Sequence, residues 1–323
     1  MLALSGCGAT ASNGAPTALA DSPPPKVAAE FNQAQTLEYA GHCDRAIPIF
    51  LHVLTEFDGY VNAYVGLAGC YSALGSFGDA ITQYDKVVAV DPTNYGLYIG
   101  RAGVEASSGS TGAATADDLT ALRLAPPQVP TYKTISDSFA SYADFSDAII
   151  AMNKAIALVP GDPALYEKRG GIYLSGMQDY ARALQDYRQA IAVAPFVASR
   201  ATVYADEALV YQQETDYESA YNAIKTAISF EPRNAHFYVE AGDIYRGGGH
   251  FTTAVSQYDA ALQVVSTGPD AELAHEGKGD ALVGLGRAKD ALSEYRAALR
   301  LTTDPGLKGR IKSKIKTTQT GAA

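Results

Sequence analysis

Residues 64–92 read YVGLAGCYSALGSFGDAITQYDKVVAVDP, and the fold turns on this stretch. Tyr64, Leu67, Ala68 and Tyr71 fall at i, i+3, i+4 and i+7, one face of a helix, while Ala80, Ile81, Tyr84, Val87 and Val88 form a second apolar stripe. Between them Gly75-Ser-Phe-Gly-Asp79 turns the chain. Asp91-Pro92 then stops the second helix, because the residue before a proline is pushed out of the helical region. A hairpin of two such helices cannot bury both stripes by itself, so neighbouring copies must cover them.

Copies recur along the chain. Tyr64, Tyr98, Tyr132 and Tyr166 are spaced 34 residues apart, and Tyr204 and Tyr238 follow after 38 and 34. Pro92, Pro126, Pro160, Pro195 and Pro232 are separated by 34, 34, 35 and 37. Ala46, Ala80, Ala114, Ala148, Ala183, Ala220, Ala254 and Ala291 make a third row with nearly the same step. Three residue types sharing one period make this a repeat array, where 323 residues would otherwise suggest about two ordinary domains. The 47% hydrophobic content excludes collagen-like and disordered classes. The chain has 21 Tyr and no Trp, and the repeat accounts for the imbalance. Tyrosines recur at three positions of the unit, where rings of roughly 150–250 Å² each fill the space between hairpins, so they read as core and not as a stacking platform.

The units resemble the tetratricopeptide repeat. That family has a large aromatic early in the first helix, a small residue, then a Tyr one turn on, an Ala opening the second helix, an aromatic and a second Ala within it, and a closing Pro. Tyr64, Ala68, Tyr71, Ala80, Tyr84, Val87 and Pro92 fit this pattern, as do Tyr166, Gly170, Tyr173, Ala183, Tyr187, Ala190 and Pro195. The resemblance implies an all-α, right-handed superhelical α-solenoid of about eight helix-turn-helix repeats over residues 27–305, a protein-interaction scaffold with no cofactor. Ala68, Ala102, Ser136, Gly170, Ala208, Gly242 and Gly279 form the small column where helices cross closely. Some units depart from the pattern. The first has Glu30 for the opening Tyr and Asp58 where the Pro is expected. The third has Asp118 at the aromatic position of its second helix and is expected to be the softest. About three extra residues around Phe196–Arg200 are expected to shift the register of the sixth.

Outside the repeats, Leu4-Ser5-Gly6-Cys7 resembles the bacterial lipobox, with Cys7 as the lipid-attachment residue. Residues 1–7 then read as a truncated signal, since only six residues precede the cysteine and a signal peptide needs a longer apolar run. Residues 8–26, small and polar, read as a disordered tether. This places the chain in the bacterial cell envelope, lipid-anchored to a membrane; the alternative is a cytoplasmic scaffold with a disordered N-terminus. Formal net charge is -10, and removing the five cations of the last eighteen residues leaves -15 for the remainder, which argues against nucleic-acid binding.

No catalytic, Walker or dinucleotide motif occurs, and the pair Asp117-Asp118 reads as solvated helix charge, so neither an enzyme nor a small-molecule substrate is expected. His42, Cys43, His52 and Cys70 lack the paired spacing of zinc ligands, and no metal is expected. Cys43 and Cys70 admit two readings, a disulfide closing a loop of about 28 residues and worth roughly 3–4 kcal/mol, or two buried thiols.

In the family, partner segments lie in the groove lined by first helices. The resemblance puts Val65, Ile99, Lys133, Asp137, Glu167, Leu174, Leu209, Val239, Asp243, Arg246, Glu276 and Asp280 on that inner face. Its N-terminal half is small and apolar and its later half leans acidic. A helix or extended peptide with apolar anchors and some basic residues is the expected protein partner. In the last segment, residues 306–323, Leu307, Ile311 and Ile315 are spaced i, i+4, i+8. They read as a basic helix capping the eighth repeat, whose cations also suit anionic lipid or an acidic partner.

Overall fold

The computed structural model describes residues 23–194 and 197–321. Cys7 and most of the expected tether lie outside them. Among the described residues there are seventeen α-helices and no strand, divided between two compact units.

Unit 1 holds four hairpins. They are α1 (Pro25–Tyr39) with α2 (Cys43–Glu56), α3 (Val61–Ala73) with α4 (Phe77–Val90), α5 (Tyr95–Ser107) with α6 (Thr111–Leu124), and α7 (Val129–Ser141) with α8 (Phe145–Leu158). Unit 2 holds α9 (Pro163–Gly171) with α10 (Tyr180–Val193), α11 (Val197–Gln213) with α12 (Tyr217–Phe230), α13 (Ala235–Gly247) with α14 (Phe251–Val264), and α15 (Pro269–Gly284) with α16 (Ala288–Leu301). The single helix α17 (Pro305–Gly321) follows. The first helix begins at Pro25, two residues ahead of Val27. Within each unit the two helices of a hairpin pack on each other, and each second helix packs on the first helix that follows it.

The combs in the sequence have separate mechanical roles. Tyrosines opening the first helices staple the preceding loop: Tyr98, Tyr166 and Tyr238 donate their hydroxyls to the carbonyls of Pro92, Pro160 and Pro232 at 3.0–3.1 Å. Tyr64 donates at 3.0 Å to the side chain of Asp58, which stands where that proline would be. Tyrosines of the second helices are the true core. Tyr84, Tyr187, Tyr258 and Tyr295 are buried. A Cβ on Gly170, Gly242 or Gly279 would come within 2.9, 2.5 and 2.5 Å of the rings of Tyr187, Tyr258 and Tyr295. The ring of Tyr258 also blocks a Cβ on Gly277 of the next hairpin, at 2.5 Å. The tyrosines at the end of the first helices, Tyr71, Tyr173, Tyr211 and Tyr245, are only half-buried.

A fourth comb lies in the turns. Gly41, Gly75, Gly109, Ala143, Gln178, Thr215, Gly249 and Gly286 all have φ between 54° and 84° and sit between the helices of the eight hairpins. At the sixth turn the amide of Thr215 bonds to the carbonyl of Gln212 and that of Asp216 to Tyr211, the paired bonds that end a helix through a left-handed residue. Asp216 then caps α12 by accepting from the amide of Ser219 at 3.2 Å. The fifth hairpin carries one residue more between Tyr166 and Ala183 than the others, and a π-helical turn at Ile172–Met177 absorbs it. The extra residues of the sixth unit go partly into α11, 17 residues long against 13 for α3, α5, α7 and α13; Pro195 and Phe196 lie outside the described residues.

The third hairpin corrects one expectation. Asp117 and Asp118 are not solvated charge: they are 7% and 0% exposed, because they lie on the side of α6 that faces the core. Glu105, at the first-helix position where Tyr71 and Phe139 stand in the neighbouring repeats, is 9% exposed. Arg101 holds Asp117 through two bonds of 2.6 and 2.8 Å, and Asp85 through one of 2.6 Å. Tyr142 donates to Asp118 at 2.7 Å, yet one oxygen each of Asp118 and Glu105 is buried without a partner. Burial, with the charges of Asp117, Asp85 and Asp118 against the opposing Arg101, pushes Glu105 up to about 7. Burial likewise takes Asp118 up to about 6 despite its hydrogen bonds, with Asp117 and Asp144 adding to the rise.

Thr215 is β-branched in the left-handed region, at a cost of about 1–2 kcal/mol. Thr215→Gly is therefore expected to stabilise unit 2 by about 0.5–1 kcal/mol after the extra freedom of glycine in the unfolded chain, read by urea unfolding. For Glu105 and Asp118 the folded values lie above the ordinary 4.5 and 3.8. Their stabilising contribution is thus complete below about pH 4 and is lost as pH rises through about 6 to 7. The melting temperature should fall over that window, and the double substitution Glu105→Gln, Asp118→Asn should flatten the fall. An unchanged slope would refute the assignment.

Candidate functional site

First helices lie side by side within each unit, α1 through α7 in unit 1 and α11 through α15 in unit 2, so their outward residues share one face. In unit 1, Val65, Ile99 and Lys133 are half-buried along it and Asp137 is exposed. Around Gly103 the face is bare, with nothing within 4 Å of the place a Cβ would take. At Gly69 that place is filled by the carboxylate of Glu38, 2.6 Å away. Burial raises Glu38 above its usual range. It is an inner-face acid that the repeat pattern alone did not single out, because the first unit opens on Glu30 and not on a Tyr.

In unit 2, Glu167, Leu174 and Leu209 are half-buried, Leu174 within the π-helical turn. Val239 does not line the face. It is 3% exposed and packs in the cluster around Tyr258, because α13 turns that residue toward the core. Asp206, absent from the expected set, is pushed up to about 7 by burial and then by the charges of Glu167 and Glu240. Three carboxyls from α9, α11 and α13 thus crowd one region. The 34-residue step from Asp206 to Glu240 was the available sign.

The last four expected residues come together. Tyr258 donates at 2.7 Å to Asp243, which also accepts from Arg246 at 2.8 Å. Tyr295 donates at 2.7 Å to Asp280. Each acid is therefore held by a core tyrosine of the facing second helix, so the face and the core share atoms. Glu276, 5% exposed, receives Arg310 of α17 as a two-bond fork of 2.9 and 2.7 Å. Lys314 of α17 reaches Glu276 at 2.8 Å and both oxygens of Asp280 at 2.9 and 2.7 Å. Burial alone would raise Glu276, but the bonds and charges of Arg310 and Lys314 outweigh it and hold the carboxyl below its usual range. The apolar side of α17 completes the contact: Ile311 is fully buried with Leu282, Tyr295 and Ala298, flanked by Leu307 and Ile315.

Cys43 and Cys70 are buried free thiols, and burial followed by the neighbouring Cys43 pushes Cys70 up. Among the described residues no group of three or more His, Cys, Asp or Glu is placed to hold a metal ion. No described helix is long and apolar enough to cross a membrane.

The family model described as tetratricopeptide repeat matches residues 31–96 and 239–306. Among solved structures, the C-terminal part of a TPR repeat-containing protein from Cytophaga hutchinsonii is similar at 18% identity and a TM-score of 0.54, over 79% of this chain and 99% of that one. A tetratricopeptide repeat protein from Parabacteroides merdae is similar at 16% identity and a TM-score of 0.52, over 80% and 98%. At these identities the likeness is one of fold. No curated protein matches.

Because Glu276 is held low by its cations, its contribution is present above its ordinary 4.5 and is lost as pH falls through the folded value. Glu276→Gln is expected to cost about 1–2 kcal/mol of unit 2 stability at pH 7, the scale of losing hydrogen bonds between charged partners. The difference should vanish only at a pH well below the ordinary 4.5, where the native carboxyl is itself protonated. Urea unfolding at both pH values checks it.

Proposed function

We propose that this chain, whose residues 31–96 and 239–306 match the tetratricopeptide repeat model, is a non-catalytic scaffold that gathers other proteins, held in the bacterial cell envelope by a lipid on Cys7. The observation that carries the reading is the first-helix face of unit 1. Val65, Ile99 and Gly103 offer a floor of small and aliphatic groups, open at Gly103 and bordered by Lys133 and Asp137. Such a floor lets a peptide backbone come close, and its apolar anchors supply most of the affinity. Nothing in it activates a nucleophile or moves a proton. The envelope assignment rests on the Leu4–Cys7 motif and the small polar run behind it, a design in which a lipidated cysteine carries a folded module on a long tether.

A photo-crosslinking side chain at position 99 or 103, introduced in a bacterial host, should capture discrete envelope proteins that the same group at Leu119, exposed on α6, does not. Ile99→Glu should reduce recovery of those proteins about tenfold or more, as expected for a charge placed in an apolar contact. Equal capture from all three positions would remove the face as the recognition surface. Cys7→Ser, expressed from the full upstream reading frame, should move the chain from the membrane to the soluble fraction. Soluble behaviour of both forms would favour a cytoplasmic scaffold.

A further inference from the structure

We infer that the acidic rungs Glu276 and Asp280 form a docking surface for a basic amphipathic helix, that α17 is its tethered occupant, and that a partner helix of the same pattern can take its place. The inference rests on the reading of the first-helix face as the recognition surface and extends it to the chemistry of one ligand.

The register comes first. Arg310 follows Glu276 by 34 residues and Lys314 follows Asp280 by 34, so α17 stands where the first helix of a ninth repeat would. Ser313 accordingly falls 34 residues after Gly279, in the column of small residues. A true first helix is clamped between its own second helix and the neighbouring hairpins. No second helix follows α17 among the described residues, and it packs chiefly on α16.

Its contacts define what the surface accepts. Leu307, Ile311 and Ile315 supply an aliphatic stripe, and Arg310 and Lys314 project beside it one turn apart. Glu276, nearly fully buried, takes a two-bond fork that guanidinium geometry fits and a lone ammonium does not. Asp280, fixed by Tyr295, takes the lysine. The ligand is therefore a helix with an aliphatic residue, Arg three positions on, an aliphatic next to it, Lys four after the Arg, and an aliphatic after that. Lys308, Lys312 and Lys316 make no ion pair among the described residues and play no part in this recognition.

α17 also leaves part of the surface uncovered. A cleft of about 250 Å³ remains between its cations and Asp243, Arg246, Leu273 and Gly277, open to a ligand longer than α17. The Arg310 side chain is 57% exposed, and ion pairs of this kind weaken as salt rises. A tethered occupant competes at an effective concentration on the order of millimolar, so a free helix binds the intact chain weakly and binds well once the tethered cations are removed.

The test uses the full chain and a fluorescent peptide of residues 305–321. Charge reversal of the tethered helix, Arg310→Glu with Lys314→Glu, should raise the affinity for the peptide about tenfold or more over the native chain. That binding should fall about fivefold or more between roughly 50 and 300 mM salt. It should disappear when Glu276→Gln and Asp280→Asn are added, or when the peptide carries Glu at its own Arg and Lys. A variant that does not fold leaves a second readout on the native chain: millimolar peptide should speed amide exchange in residues 305–321. Absence of both effects, or equal binding of a scrambled peptide of the same charge, overturns the inference. Crosslinking from positions 99 and 103 in unit 1 would be untouched by that failure, so the two readings fall separately.

Discussion

The contact on which the structure depends is a tyrosine ring lying where a side chain of the opposite helix would otherwise be. Tyr258 shows it most fully: the missing Cβ atoms of Gly242 and Gly277 make room for one ring that joins two hairpins. A hairpin supplies only half of such a contact, so no unit is stable alone and stability accrues through neighbours. The same ring sends its hydroxyl through to Asp243 on the first-helix face. Packing and surface chemistry are therefore two ends of one residue, and a core change in unit 2 is felt at the surface.

Much of this was legible in the sequence because period and side-chain size are properties of the chain itself. The hairpins, the small column and the position of the terminal helix follow from the spacing of Tyr, Ala, Gly and Pro. The bond from a first-helix Tyr to the proline six residues before it was not read, although it explains why two of the combs keep step. Nor was the left-handed comb, since Ala143, Gln178 and Thr215 hide it among residue types that rarely take that conformation. The face was harder than the fold. Val239 was misplaced because a residue one step around a helix from the face belongs to the core, and the repeat pattern resolves such steps only coarsely.

Carboxylates carry the remaining discrepancies, for one physical reason. A sequence shows a charge but not the dielectric around it. Asp118 occupies an aromatic position of a well-formed repeat and is buried accordingly, while Asp206 is crowded by two like charges from neighbouring helices. Glu276 is buried as well, yet it is held low because two cations of α17 arrive from 34 residues away. Burial sets the cost in each case, and the arrangement of partners decides its sign.

The π-helical turn at Ile172–Met177 bears on the history of the chain. One surplus residue in a helix normally rotates everything downstream by about 100°, which would turn an apolar stripe out to water. Here the surplus is swallowed within a single turn: Tyr187 regains its station against Gly170 and Ala183 is fully buried. Copying errors of one codon at this point are thereby confined to the repeat in which they arise. Descendant repeats can drift in length while the stack stays in phase.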